Sequence, residues 1–181
     1  MSLEIRIAKP EDETIVLDII ERTGFFREVE IDIAREVFTE SAQNKPGCTY
    51  QSYIVEMREK IDDGRLTNDD KQLVSPLSSL VPRVTGWVCF GETPCTMGTF
   101  DIYWIAVDPE IQRQGIGKLM LDFAEQEIKN QNGRLAVVET SGMKRYESTQ
   151  KFYEKNDYII AAKIPNFYAP GDDKLIYLKT I

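Results

Sequence analysis

The segment from Thr99 to Glu139 constrains the fold of this chain most. TFDIYWIAV (Thr99–Val107) is dense in aromatic and β-branched residues and reads as a central strand. The glycine turn PEIQRQGIGK (Pro109–Lys118) follows. Gly115–Asn130 then places Leu119, Leu121, Phe123, Ala124 and Ile128 on the apolar side of an amphipathic helix, which Asn132-Gly133 stops. LAVVE (Leu135–Glu139) is a second strand. Strand, helix and strand in this order require a right-handed crossover with parallel pairing around it.

The flanks read differently. Leu3–Ala8 alternates as a strand, and Glu11–Arg22 is a helix closed by Gly24. Phe25-Phe26 stands in a short connection before a helix striped by Ile31, Ala34, Val37 and Phe38. Tyr50–Met57 and Val84–Phe90 are strands, with the turn-rich GETPCTMG after the second. Tyr146–Lys155 is a helix; Ile159–Ile164 and Leu175–Lys179 are strands joined by a PNFYAPGDD hairpin connection. Hairpins on both sides of a parallel unit predict an α/β (α+β) fold with a mixed, mostly antiparallel sheet. One domain over residues 1–181 is expected, with an extended connection at Arg58–Arg83 that has room for a short helix.

Composition narrows the chemistry. The chain has no histidine, which removes histidine triads and the usual histidine metal sites, so no metal is expected. A general base must be a carboxylate, tyrosine, cysteine, lysine or water. Cys48, Cys89 and Cys95 are odd in number and irregular in spacing, and read as thiols rather than a disulfide framework. A net charge of -8 argues against nucleic acid as a partner. With no apolar signal core and no run long enough to span a bilayer, the expected location is cytoplasmic, without membrane association.

The glycine turn admits several readings. A P-loop needs Ser or Thr after its lysine, and Lys118 is followed by Leu119. A dinucleotide fingerprint needs a third glycine, and only Gly115 and Gly117 are present. A bare helix N-terminus holds a pyrophosphate without metal, with Arg113 and Lys118 adding charge. A turn that needs glycine for its shape alone is the plain alternative.

The pattern V-x-P-x-x-Q-x-x-G-x-G from Val107 to Gly117, followed by SGMKRYESTQKFYEKNDYI, resembles the GNAT superfamily of N-acetyltransferases. The element order also resembles that family's. The resemblance implies the acyl-CoA N-acyltransferase fold, with a splayed parallel strand pair admitting the pantetheine arm of acetyl-CoA. It implies donor contacts from Ile105, Ala106, Val107, Gln112, Arg113, Gln114, Gly115, Ile116, Gly117, Lys118 and Thr149. Tyr153 corresponds to the tyrosine that faces the CoA sulfur, and Asp101 stands where some members carry the base, with Glu139 a second candidate. An oxyanion donor is expected from a backbone N–H near Val107, where the strand diverges or bulges. Phe25, Phe26, Tyr103, Trp104, Tyr168 and Glu139 are implied around the acceptor. Asp101, Tyr103 and Ile105 share one face if the strand is regular, and an apolar setting would raise the Asp101 pKa.

Gln112 replaces the commoner arginine, Tyr146 and Thr149 replace asparagine and alanine, and Asp157 replaces a glycine. The implied activity is direct acetyl transfer to a primary amine on a small molecule, protein or peptide, with a homodimer allowed. The rival is a CoA-binding sensor or interaction module without catalysis.

Overall fold

The computed structural model describes residues 2–43, 45, 47–58 and 82–181. The chain runs β1 (Ser2–Ile7), α1 (Glu13–Thr23), α2 (Glu28–Ala42), β2 (Tyr50–Arg58), β3 (Arg83–Glu92), β4 (Thr99–Val107), α3 (Ile116–Asn130), β5 (Leu135–Ser141), α4 (Glu147–Lys155), β6 (Ile159–Ala169) and β7 (Asp172–Thr180). Among the described residues seven strands form one sheet in the order β1-β2-β3-β4-β5-β7-β6. Only β4 and β5 pair in parallel among the described residues; every other neighbour is antiparallel.

Local chemistry explains the helices. α1 buries Val16, Leu17, Ile19 and Ile20, and ends where Gly24 turns left-handed at φ 69°. α3 buries Ile116, Met120, Leu121, Ala124 and Ile128, one stripe of a 3.6-residue repeat. The sheet separates two packed layers. On one face α3 and α4 cover Phe100, Ile102, Ala136 and Val138, with Tyr153 in the same cluster. On the other, α1 and α2 cover Ile54, Trp87, Cys89 and Ala106.

The parallel pair is short. Thr99, Phe100 and Asp101 face Leu135, Ala136 and Val137, and pairing stops there. Beyond it β4 carries a bulge: Phe90 faces Ile102 and Cys89 faces Trp104, leaving Tyr103 unpaired. An extra residue bends a strand and tightens its twist. The bulge stands where β4 parts from β5, so a gap opens between their carboxyl ends.

Several boundaries differ from the sequence reading, most of all in the last hairpin and at the start of α4. β6 and β7 extend through most of the supposed connection, and only Pro170-Gly171 turns between them. Side chains stabilise that extension: Asp173 accepts the Asn166 N–H, and Asn166 accepts the Gly171 N–H. Tyr146 closes a 3-10 turn (Lys144–Tyr146) before α4 rather than beginning the helix. Asp157 is left-handed at φ 67°, in line with its replacing a glycine. The Arg58–Arg83 connection lies outside the described residues from 59 to 81. Among the described residues no helix is long and apolar enough to cross a membrane.

Candidate active site

The gap between β4 and β5 and the glycine turn at its mouth form one candidate site. Hydrogen bonding in β4 shows what lines the gap. The Asp108 N–H donates to Thr85 on β3 (2.9 Å). Antiparallel pairing alternates, so the N–H and C=O of Val107 and Ile105 point to the opposite edge, toward the gap. The Gln112 amide already reaches the Val107 carbonyl from that side (3.3 Å). Ile105 and Val107 turn their side chains to the α3 layer, whereas Ala106 packs toward α1.

The turn has unusual backbone geometry. Arg113 (φ 64°) and Gly115 (φ 85°) are both left-handed. Gly115 is the N-cap of α3, and no side chain caps the helix. The amides of its first turn therefore lack intrahelical partners, and the helix dipole adds positive potential there. Gln112, Arg113 and Gln114 are exposed around these amides, and Ile116 is buried beneath them. Lys118 is paired with Asp122 through both carboxylate oxygens (2.7 Å), so its charge is shared.

The fold asks different things of the two glycines. A Cβ on Gly115 would meet nothing within 4 Å, so its backbone angle alone demands glycine. Gly117 is in ordinary helix, and a Cβ there would rest 3.7 Å from Phe152 and Val107, a normal contact. Packing does not require Gly117 to lack a side chain. The space it leaves lies between the end of β4 and α4, at the mouth of the gap. A cradle that a Cβ would fill fits a ligand lying against the backbone.

Tyr153 is 8% exposed on α4, with its ring centroid 5.4 Å from Phe152, 5.6 Å from Tyr158 and 5.9 Å from Tyr177. Burial pushes its pKa up, so the phenol stays protonated. It shares a packed cluster with Ile102 and Val138, the residues where the strands part. Thr149 is half-buried one helical turn earlier.

The face toward α1 holds the remaining candidates. The bulge keeps Asp101 and Tyr103 together but turns Ile105 to the other layer, so the three do not share a face. Asp101 Oδ2 accepts the Thr93 hydroxyl (2.7 Å), a more polar setting than expected. Burial, reinforced by the charge of Asp101, pushes the Tyr103 pKa up to about 12. Trp104 lies between Trp87 (5.7 Å) and Phe26 (5.0 Å). Phe25 packs on Tyr146 (5.5 Å), whose hydroxyl donates to the Phe25 carbonyl (2.9 Å). Glu139 on β5 is ion-paired with Lys174 (2.5 Å). Tyr168 is half-buried, its pKa pushed up to about 12 by burial and by Glu139. At neutral pH both phenols are donors rather than bases.

Three residues were missed in the sequence reading. Asp108, next to the turn, is buried and joined to Arg22 of α1 and Arg83 of β3. Arginines 86 and 25 positions away leave no local pattern to read.

Residues 79–160 match the family model described as an acetyltransferase (GNAT) domain. A GNAT-family structure from Desulfovibrio desulfuricans is 33% identical, covers 99% of each chain and superposes with a TM-score of 0.81. The ribosomal-protein-S18-alanine N-acetyltransferase from Escherichia coli is 17% identical over 99% of this chain and 94% of its own, with a TM-score of 0.68. The PaiA N-acetyltransferase from Thermoplasma acidophilum, in complex with coenzyme A, is 15% identical over all of both chains, with a TM-score of 0.63. At such identities the last two carry the fold alone. No curated protein sequence matches the chain.

Proposed function

This chain belongs to the GNAT family of acetyltransferases, and on that premise we propose that it transfers acetyl from acetyl-CoA to a primary amine directly, in a ternary complex. The observation that carries the donor site is Gly117, whose missing side chain leaves room at the mouth of the β4–β5 gap where packing needs none. The free amides of the first α3 turn, with Arg113, hold the diphosphate; no metal is needed. A fold neighbour holding coenzyme A supports this choice of ligand.

Acetyl-CoA supplies an activated acetyl thioester. The N–H of Val107 or Ile105, turned into the gap, donates to the thioester oxygen as negative charge develops on it. Asp101 takes the amine proton, directly or through water, with Thr93 orienting its carboxylate. The amine nitrogen bonds to the acetyl carbon, and as the carbon–sulfur bond breaks Tyr153 donates its hydroxyl proton to the leaving sulfur; burial ensures that the phenol is protonated at neutral pH. Tyr103, Trp104, Phe25, Phe26 and Tyr168 wall the acceptor side, with Glu139 beside them. Glu139 is the weaker candidate for the base, because Lys174 already holds its carboxylate.

Calorimetric titration with acetyl-CoA tests the donor, with ATP and NAD as controls. Selective binding is expected, followed by acetylation in a panel of amines and peptides. Binding of ATP or NAD in its place would overturn the reading. Asp101→Asn should cut turnover on the accepted amine by about 10²-fold or more near neutral pH. An unchanged pH–rate profile would move the base elsewhere.

A further inference from the structure

Asp108 is the first residue after β4 and lies directly before the turn that carries Gln112 to Gly117. It is 1% exposed. One carboxylate oxygen accepts from Arg22 Nη1 (2.8 Å) and from the Glu110 N–H (3.1 Å). The other accepts from Arg83 Nη2 (2.7 Å), and its own N–H is bonded to Thr85. The two arginines come from different elements, the end of α1 and the start of β3. Each is shared with a second acid: Arg22 with Asp18 (2.7 Å), and Arg83 with Glu110 (2.5 Å).

A buried ion pair is a poor source of net stability, because desolvating the charges offsets most of their attraction. Its better-attested use is to hold one geometry against alternatives. Here the geometry at stake is the exit from β4. That exit sets where the Val107 amide points and where the left-handed Arg113 and Gly115 present the free amides of α3. Between β4 and the left-handed Arg113 and Gly115 runs a single 3-10 turn, Pro109–Ile111, capped by Asp108 itself, while α3 has no side-chain cap, so the carboxylate is the anchor of the local structure there.

We propose that Asp108, braced by Arg22 and Arg83, is a positioning residue for acetyl-CoA binding: it touches no ligand but sets the direction of the diphosphate turn and of the β4 edge. This rests on the donor site proposed above. A second buried network supplies the control. Asp12, 5% exposed, is held by Arg6 (2.7 Å), which also pairs with Glu56, at the start of α1 and away from the turn. Asp108→Asn keeps an oxygen for the Glu110 N–H but removes the charge facing both arginines. Asp12→Asn makes the same change in the control network.

The experiment is calorimetric titration of acetyl-CoA into wild type, D108N, D12N and R83M, each checked for folding by circular dichroism and thermal unfolding. D108N should weaken acetyl-CoA binding at least tenfold, and D12N less than twofold even at equal or greater loss of thermal stability. R83M should weaken it severalfold, and adding R83M to D108N should cost little more, because the arginine acts through the carboxylate. If D108N unfolds, R83M against D12N decides by the same criterion. Wild-type binding with D108N or R83M within twofold of wild type would overturn the positioning role and leave the donor site intact. Failure of wild type to bind acetyl-CoA would overturn the donor site, and this role with it.

Discussion

At the scale of single residues, the two glycines of the turn separate fold from function. Gly115→Ala forces a side chain into left-handed backbone and should cost about 1–2 kcal/mol of stability. Gly117→Ala sits in regular helix with room for its Cβ, and should leave stability unchanged or raise it by up to about 1 kcal/mol. It should nevertheless weaken acetyl-CoA binding by about tenfold, or about 1.4 kcal/mol. Thermal unfolding paired with calorimetry measures both; tight binding by Gly117→Ala would remove the ligand from this place. Tyr153→Phe keeps the ring among Phe152, Tyr158 and Tyr177 and deletes only the hydroxyl. Turnover should fall about 10²-fold with acetyl-CoA affinity retained. An unaltered rate would leave Tyr153 as a packing aromatic.

At the scale of elements, α3 docks on β3 through a close contact between Met120 and Gly86. Met120 is fully buried, and a Cβ on Gly86 would lie 3.0 Å from its sulfur and terminal carbon and 3.1 Å from the Ala106 carbonyl. Met120→Ala should cost about 2–5 kcal/mol. Gly86→Ala should destabilise the wild type, and should destabilise the Met120→Ala background less, because the two Met120 atoms that crowd the new Cβ are gone and only the Ala106 carbonyl is left. Denaturant titration of the four proteins checks this; additive losses would mean that helix and strand do not meet through this pair. The element order was legible because 3.6-residue and alternating patterns are local. The bulge at Tyr103 was not legible, since it is defined by partners on β3. It therefore upset the expectation that Ile105 shares a face with Asp101.

At the scale of the whole molecule, buried carboxylates tie distant segments and set the acid limit of stability. Burial alone raises the pKa of Asp12 and of Asp108. Hydrogen bonds from Arg6 to Asp12, and from Arg22 and Arg83 to Asp108, overcome it and hold both below the ordinary 3.8, Asp108 at about 2. A carboxyl with a lowered folded pKa binds its proton more readily when unfolded. Its contribution to stability is complete above pH 3.8 and is lost as pH falls through the folded value. The melting temperature should drop over that acid range, and the drop should be shallower in D108N. An equally steep drop in D108N would show that Asp108 does not set the acid limit.

What the sequence by itself determined are the features encoded within a helical turn or two: the β4–turn–α3–β5 crossover, the amphipathic faces, and the V-x-P-x-x-Q-x-x-G-x-G motif that carries the resemblance to the family. Hydrophobic period, backbone steric limits and helix capping act over a few residues, and so can be read along the chain. Only the tertiary structure decided how far β4 and β5 pair, which way Ile105 and Tyr103 turn, which acids are held by which arginines, and why Gly117 has room beside it. Each of these depends on groups brought together from distant positions, Arg22 with Asp108 or Tyr146 with the Phe25 carbonyl. Such contacts follow from the packing of the sheet and its two layers, which local patterns do not specify.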